Sequence, residues 1–563
     1  MRYLLAAEAD KIQEFIFRSS RLREVVGASQ LLSRFCNSSD GVLALADQYD
    51  GDVVVNDGGS FRVIFDGDNA RENAIAFGAD LSELYRLSLG GSLSVAEPAP
   101  LNGDFRQAND EAGKKLRQVK NRRLGVTAEP HMPYIAFCAS CGMTLADIHG
   151  QLKGGKGEHR RNYYCEVCQT KAAERDRKPR AILDDFYAAY CTAIGDEQTS
   201  EANWPEDADD IARYDLRQQN YVAYLVADGN GMGQLFGRCD QTQIEKVSVG
   251  LTSGLHASLA KPAAAFRTSV PGQTNMVPLL PLILGGDDLF ALIPAPYALD
   301  FARRFCLAWE DELTTLVENA GLQIGENTGQ IPRPTVAAAV VICKSKYPYA
   351  LAHRRAEQLL KEAKRHSKLL AAESGEHLSA VSFEVILGNR LAGDEDANDE
   401  RRKAIQPTLR PYWVAKGELS TSATERGIDL RKLLAQRLAL KDVPNKRLKE
   451  VRRQFERLPM DIHTTNRDKQ LAEWTNKLEA LLKRIDKKRR TDDQWRIVNP
   501  LRDALAALGQ PRNDDSDGHN WREVKHGGKT PLAHGMLDLL EAWDFAQDLS
   551  HGPEAYEPKE EEE

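Results

Sequence analysis

Two aspartates follow two glycines at Gly285-Gly286-Asp287-Asp288, between the apolar runs Leu279 to Leu284 and Leu289 to Ile293. Strand, Gly-Gly, carboxylate pair, strand predicts a β-hairpin with acidic groups at its tip. The glycines permit positive φ and close approach of a backbone or phosphate. Paired carboxylates on a tight turn suit hard, oxygen-seeking cations such as Mg2+ or Mn2+. A third carboxylate, Asp228, ends the apolar run Tyr221 to Ala227 and opens Asp228-Gly229-Asn230-Gly231-Met232-Gly233. A carboxylate at the end of a central strand, facing a hairpin tip on its neighbour, can bridge two metals roughly 3.5–4 Å apart. That is the chemistry of nucleotidyl transfer. Gly229, Gly231 and Gly233 would leave N–H groups free for phosphate at a helix start. Taken alone, a tight turn explains those glycines equally well. Asn230 lacks a carboxylate's charge and is expected to cap the helix. Lys364, with Lys361 and Lys368 near the same helical face, is the candidate partner for triphosphate; a solvated basic face is its competing reading. Lys344 and Lys346 are weaker candidates.

These residues need a scaffold of strands and helices. Strands are expected at Tyr3 to Ala7, Tyr221 to Ala227 and Thr335 to Cys343, and helices near 298–320 and 349–370. An earlier unit repeats the hairpin: Val53 to Val55, then Asn56-Asp57-Gly58-Gly59-Ser60, then Phe61, Val63 and Phe65. Here Ser60 and Phe61 are expected to stand where the later copy has Asp287 and Asp288. The pair reads as a duplication with one acidic tip, against two unrelated hairpins sharing a Gly-Gly turn. After about residue 395 the chain turns charged and helical, with Leu448, Val451, Phe455 and Leu458 on one face and Leu471, Trp474, Leu478, Leu481 and Ile485 on another. The pattern gives an α+β fold resembling a palm, with units at 1–130, around the cysteines at 131–175 and around the acidic hairpin at 176–395, then a helical domain at 396–555 and an acidic tail at 556–563.

Cys138-x-x-Cys141 and Cys165-x-x-Cys168 are 23 residues apart. Two such knuckles complete a tetrahedral, closed and therefore structural Zn2+ site; a redox CxxC pair is the alternative. With nine cysteines in all, this suits a reducing cytoplasm better than a disulfide framework. At 563 residues the chain exceeds one core. No run of about 20 apolar residues suggests a membrane span, and the N-terminal apolar stretch is too short for a signal peptide. The net charge of −8 excludes nucleic-acid binding by global charge. The local exception is Lys483, Arg484, Lys487, Lys488, Arg489 and Arg490, a patch for RNA backbone or an acidic protein, or a solvated helix end.

Together these elements resemble the large polymerase–cyclase subunit of type III CRISPR effector complexes. The resemblance covers about residues 1 to 390. Ile12-Gln13-Glu14-Phe15-Ile16-Phe17, then Gly27-Ala28-Ser29 and Leu31-Leu32, are similar to the opening of that family's first palm; Gly58-Gly59 to its inactive hairpin; the four cysteines to its zinc ribbon; and the Asp228 and Gly285–Asp288 motifs, with the Ala363-Lys364 helix, to its active second palm. The resemblance implies two ferredoxin-like (RRM-like) palms and assembly with other effector subunits, guide RNA and target RNA. It implies target-activated joining of ATP into cyclic oligoadenylates. Asp228 and Asp287 would hold the metals, Asp288 would assist, and Gly285 and Gly286 would give ribose and phosphate room. Many relatives begin with a His-Asp nuclease domain; none of the twelve histidines here precedes aspartate, so no such DNase is expected. The remaining alternatives are transfer of AMP to a non-nucleotide acceptor, a silent scaffold, and a stand-alone dinucleotide cyclase of the GGDEF type.

Overall fold

The computed structural model describes residues 1–550 apart from 20, 38–40, 123–135, 153–160, 196–202, 216, 218, 270–275, 326–329, 388–404, 407, 459–466, 488–494, 510–520 and 526–529. The expected linker at 394–400, the acidic tail and Lys488 to Arg490 lie outside the described residues.

The first unit runs β1 (Tyr3–Asp10), α1 (Ile12–Phe17), α2 (Leu22–Asn37), α3 (Val42–Gln48), β2 (Gly51–Asp57), β3 (Ser60–Phe65), α4 (Ala70–Leu89), β4 (Ser92–Val95), β5 (Ala99–Pro100) and α5 (Phe105–Arg122). Its sheet has the order β2-β3-β1-β4, antiparallel throughout, with β5 also on β1. Alternation along β3 buries Phe61, Val63 and Phe65 against α4. The opposite side carries Arg62, whose Nε donates to Asn109 on α5 at 3.2 Å.

A two-stranded ribbon follows, β6 (Ile148–Gly150) with β7 (Asn162–Tyr164), then α6 (Glu166–Glu174), α7 (Ala181–Ile194) and α8 (Ala208–Ala212). Helix α6 lies against α2 so closely that a Cβ on Gly27 would sit 1.7 Å from the Lys171 carbonyl oxygen. Only glycine fits there.

The second unit repeats the first: β8 (Tyr221–Asn230), α9 (Met232–Arg238), α10 (Gln241–Ser269), β9 (Leu280–Gly285), β10 (Asp288–Pro294), α11 (Ala298–Asn319), β11 (Thr335–Lys344) and α12 (Tyr349–Ser374). Its order β9-β10-β8-β11 is that of β2-β3-β1-β4. Strand β8 is buried on both faces up to Ala227, which explains its unbroken apolar run. The two units also pack reciprocally: α2 lies on β9 and α10 on β2. The expected duplication is therefore present in topology and in packing.

The second sheet continues through β12 (Ser379–Val385), parallel to β11, and then β14 (Tyr412–Val414), which follows the short β13 (Ile405–Gln406). Strand β14 comes from the segment expected to be helical. The remainder is α13 (Thr421–Thr424), α14 (Leu430–Ala439), α15 (Asn445–Glu456), α16 (Arg467–Lys487), α17 (Trp495–Ala507), β15 (Arg522–Glu523), β16 (Leu532–Ala533) and α18 (Met536–Glu541). The two expected apolar faces form its core, Leu448, Val451 and Phe455 meeting Trp474. Buried Asp538 on α18 accepts from the Leu409 N–H (2.8 Å), Thr408 Oγ1 (2.7 Å) and Tyr412 Oη (2.7 Å), and pairs with Arg410 at 2.9 Å. Asp538→Ala takes one of two carboxylates from buried Arg410, which keeps Glu541, and leaves the Leu409 N–H and Tyr412 hydroxyl without their acceptor, so it should cost about 3–5 kcal/mol in chemical denaturation. A loss below about 1 kcal/mol would mean that this network does not hold the helical region to the sheet.

Candidate active site

The acidic hairpin turns at Gly286 and Asp287, because β9 ends at Gly285 and β10 starts at Asp288. Gly286 has φ 59° and Asp287 has no positive φ, the pattern of a type II′ turn. The Gly286 N–H donates to Thr252 Oγ1 on α10 at 3.1 Å, which anchors the tip. On the neighbouring strand Leu289 is opposite Ala227, so the next position sets Asp288 against Asp228.

The Asp228 and Asp287 carboxyls hydrogen-bond to each other. Crowding by the surrounding protein, then the charges of Asp228 and Asp288, hold the Asp287 carboxyl well above the usual carboxylate range. Asp288 is open to solvent, yet the packed hairpin base and the Asp228 charge raise it to about 6, with Lys364 opposing. Lys364 on α12 forms an ion pair with Asp228. Glu357, also on α12, is raised by burial and by the Asp228 charge. Lys364 thus serves Asp228 and reaches Asp288, Glu357 is opposed by Lys361 as well, and Asp287 faces two other carboxylates. This is an excess of negative charge that a divalent cation would relieve, and the facing Asp228 and Asp287 oxygens suit one.

The first unit supplies the control. Register through both neighbours of β1 equates Glu8 with Asp228, since Glu8 faces Ser60 and Ser94 while Asp228 faces Ala337 and follows the residue facing Leu289. The turn of the first hairpin is Gly58-Gly59, both at positive φ. Gly59 and Ser60 therefore stand where the second unit has Asp287 and Asp288. The expected alignment through Ser60 and Phe61 is corrected by one residue, because the first turn begins at the first glycine of its motif, Gly58, and the second turn at the second glycine of its own, Gly286. Helix α5, which follows β4 as α12 follows β11, supplies Lys120 to Glu8 at 2.6 Å. One carboxylate with one lysine is balanced, and makes no demand for a metal.

A packing exchange accompanies the charge difference. Asp287 fits because Gly229 lies beside it: a Cβ on Gly229 would be 3.2 Å from the Asp287 Cβ and 2.8 Å from Met232 Cγ. In the first unit the residue beside the turn is Ala9, and the turn residue is glycine instead. A Cβ on Gly59 would be 3.0 Å from Ala9 Cβ and 2.6 Å from Ile12 Cδ1.

Other expected residues fall as follows. Gly231, at φ 74°, is the N-cap of α9 and has no side-chain cap. Asn230 does not cap that helix; its Nδ2 donates to Thr335 Oγ1 at 3.1 Å, because the strand continues through it. Gly233 has open space around its Cα. Lys361 and Lys368 are exposed on α12 without reaching the carboxylates' ion pair. Lys344 donates to the Gln219 carbonyl and lies over the Tyr221 ring, and Lys346 pairs with Asp209; neither is part of the site. Sequence reasoning missed Thr252, Thr335, Gln13 and Glu357. Only Glu357 left a signal, one that spacing of seven residues from Lys364 on a helix would have raised.

The four thiols of Cys138, Cys141, Cys165 and Cys168 lie within 4.8 Å of one another, with Cys141 and Cys165 at 4.0 Å. A tetrahedral zinc with Zn–S bonds near 2.3 Å needs S···S separations of about 3.8 Å, so the set fits Zn2+. Among the described residues no helix is long and apolar enough to cross a membrane.

A duplicated ferredoxin-like scaffold with one carboxylate-rich hairpin has the architecture of a palm domain. Residues 221–369 match the family model for Cas10/Cmr2, second palm domain. That match spans about a quarter of the 563-residue chain, and it is this segment that is similar to the Cas10/Cmr2 second palm. Solved structures similar to it include a Csm1–Csm4 cassette in complex with cA4, at 16% identity and TM-score 0.42, over 90% of this chain and 70% of that one. Csm1 from T. onnurineus aligns at 15% identity and TM-score 0.41, over 90% and 69% of the two chains. No curated protein matches.

Proposed function

We propose that the second palm joins ATP molecules by 3′–5′ nucleotidyl transfer into cyclic oligoadenylate, under control of target RNA bound in a multi-subunit effector. The observation that carries this is the concentration of Asp228, Asp287 and Asp288 around one lysine, beside a duplicate in which a single carboxylate is neutralised.

Asp228 and Asp287 would hold Mg2+ or Mn2+, with Asp288 in support. When bound, the cations would lower the pKa of the attacking ribose hydroxyl and neutralise charge on the triphosphate. Gly286 leaves open space at the turn, where ribose and phosphate would enter beside Gly285. The first N–H groups of the short α9, beside Gly229, Asn230, Gly231 and Gly233, have no intrahelical partners and would be free for phosphate. Lys364 would exchange Asp228 for a phosphate oxygen. Lys364→Met should therefore lower kcat/KM for ATP roughly tenfold to a hundredfold, the value of one charged hydrogen bond, with zinc content unchanged. Unaltered kcat/KM would remove Lys364 from the site. The four cysteines would hold zinc structurally, and partner subunits with guide RNA would complete the assembly.

The test is incubation of the purified assembly with labelled ATP and Mg2+ or Mn2+, with and without target RNA, resolving products by mass. Target-dependent oligoadenylate is the expected result. AMP attached to another acceptor would keep the site and change its substrate. No product under any condition, with RNA bound, would leave a scaffold.

A further inference from the structure

The Ile12–Phe17 helix is used neither by the carboxylates nor by the zinc ligands, yet it touches the surroundings of both. Its Phe17 ring inserts into the second palm, 3.9 Å from the His353 ring centroid, 5.1 Å and edge-on to Phe290, and 6.3 Å from Tyr349. Phe290 stacks in turn on Tyr224 at 5.7 Å. Phe290 lies two residues beyond Asp288 on β10, and Tyr224 four before Asp228 on β8, so these rings share the carboxylates' face of the sheet. His353 and Glu357 are one turn apart on α12, on the way to Lys364. Gln13 Nε2 donates to Glu357 Oε1 at 3.4 Å.

The other grip is on the zinc-ribbon side. Buried Lys171 on α6 donates from Nζ to the Phe15 carbonyl and sits 3.9 Å over the Phe15 ring. Tyr349 Oη donates to the Phe17 carbonyl at 3.3 Å. A six-residue helix must leave its last carbonyls unpaired internally. Here one is taken by the zinc-ribbon helix and another by the catalytic palm.

The duplication shows that this is not inherited scaffolding. Lys11, at φ 52°, caps α1 as Gly231 caps α9. Counting from those caps, Gln13 corresponds to Gly233 and Phe17 to Gly237. Both equivalents are glycine, so from these two positions the second palm returns neither a ring nor an amide.

We infer that Phe17, aided by Gln13, is a positioning residue supplied by the first palm to the nucleotidyl-transfer site of the second. It sets the spacing between β10, which carries Asp288, and α12, which carries Lys364. This rests on the function proposed above. The assembled protein would be compared with Phe17→Ala, Phe17→Leu and Gln13→Leu, with Glu14→Gln on the exposed side of α1 as control. Three readouts apply: kcat and KM for ATP, Mn2+ binding by EPR, and hydrogen exchange of residues 286–290. Phe17→Ala should lower kcat roughly 10–100-fold with KM within about twofold, as misplacement of reacting groups does. It should also weaken Mn2+ binding and speed exchange at the hairpin, with Phe17→Leu recovering part of each. A residue that only stabilised the fold would lower the thermal midpoint and leave the folded protein's kcat unchanged, and that result would overturn the inference. If Phe17→Ala does not fold, Gln13→Leu decides, since Gln13 is exposed: a loss in kcat of a few-fold supports the inference and no change rejects it. If the wild-type assembly makes no product, the proposed function fails. Mn2+ binding and exchange at the hairpin then still judge the role of Phe17.

Discussion

Asp287→Asn is expected to remove nucleotide joining, by at least about a thousandfold, and to raise the thermal midpoint at neutral pH. The opposite signs come from one cause. In the resting protein the Asp287 carboxyl is crowded by protein and by two other carboxylates, and binds its proton more tightly than an unfolded aspartate does. A group whose folded pKa is raised makes the folded state the better proton binder. Its ionised form therefore costs stability above the folded pKa, and the cost disappears as pH falls through it. Asparagine has the shape of the carboxyl without the charge. The gain should be present at pH 7–8 and fade in acid. Mn2+ at a hundred times its Kd should stabilise the wild type by about 2.7 kcal/mol and the variant far less. Retained turnover would place the chemistry elsewhere. A lower midpoint would reject the electrostatic account.

Cys165→Ser with Cys168→Ser, or removal of zinc by a chelator, is the second large effect expected. Zinc binding would contribute on the order of 10 kcal/mol to folding of the ribbon. More than the ribbon depends on it. Ser140, inside the first knuckle, and Ser19 both donate to buried Glu24 on α2. Lys171, three residues past Cys168, holds Phe15, and burial lowers its ammonium to about 8. Loss of the metal should open residues 136–175 to limited proteolysis and free α6 from α2. Elemental analysis provides the decisive alternative. A protein containing no zinc and indifferent to chelators would make the thiols a redox pair.

The sequence carried the parts of this site whose determinants are local. The second hairpin, expected at Leu279–Leu284 and Leu289–Ile293, is observed at Leu280–Gly285 and Asp288–Pro294, since Gly-Gly flanked by apolar runs specifies a hairpin by itself. The helix expected near 349–370 is Tyr349–Ser374 because its apolar spacing is regular. What stayed illegible depends on register and tertiary contact. The one-residue error in matching Gly58-Gly59 to Gly285-Gly286 came from aligning letters, when the turn is fixed by which residues pair across the strands. Lys120 opposite Glu8, Gln13 beside Glu357 and Thr252 under Gly286 join residues 34 to 344 positions apart. No periodicity reports such pairs. Strand β14 escaped because three buried residues, Tyr412, Trp413 and Val414, are too few to show alternation.

The exchange of glycine between the two hairpins also bears on which residues either hairpin can carry. Where the second palm has Gly229 beside an aspartate, the first has Ala9 beside a glycine. A single substitution of Gly59 by aspartate would collide with Ala9 and Ile12, at a backbone φ of 75° that favours glycine. A single substitution of Ala9 by glycine would open space and restore no charge. Aspartate at 59 would therefore need glycine at 9 in the same chain, as Asp287 has Gly229 beside it. The two positions are coupled, and carrying the acidic tip over to the first hairpin takes a pair of changes, not one.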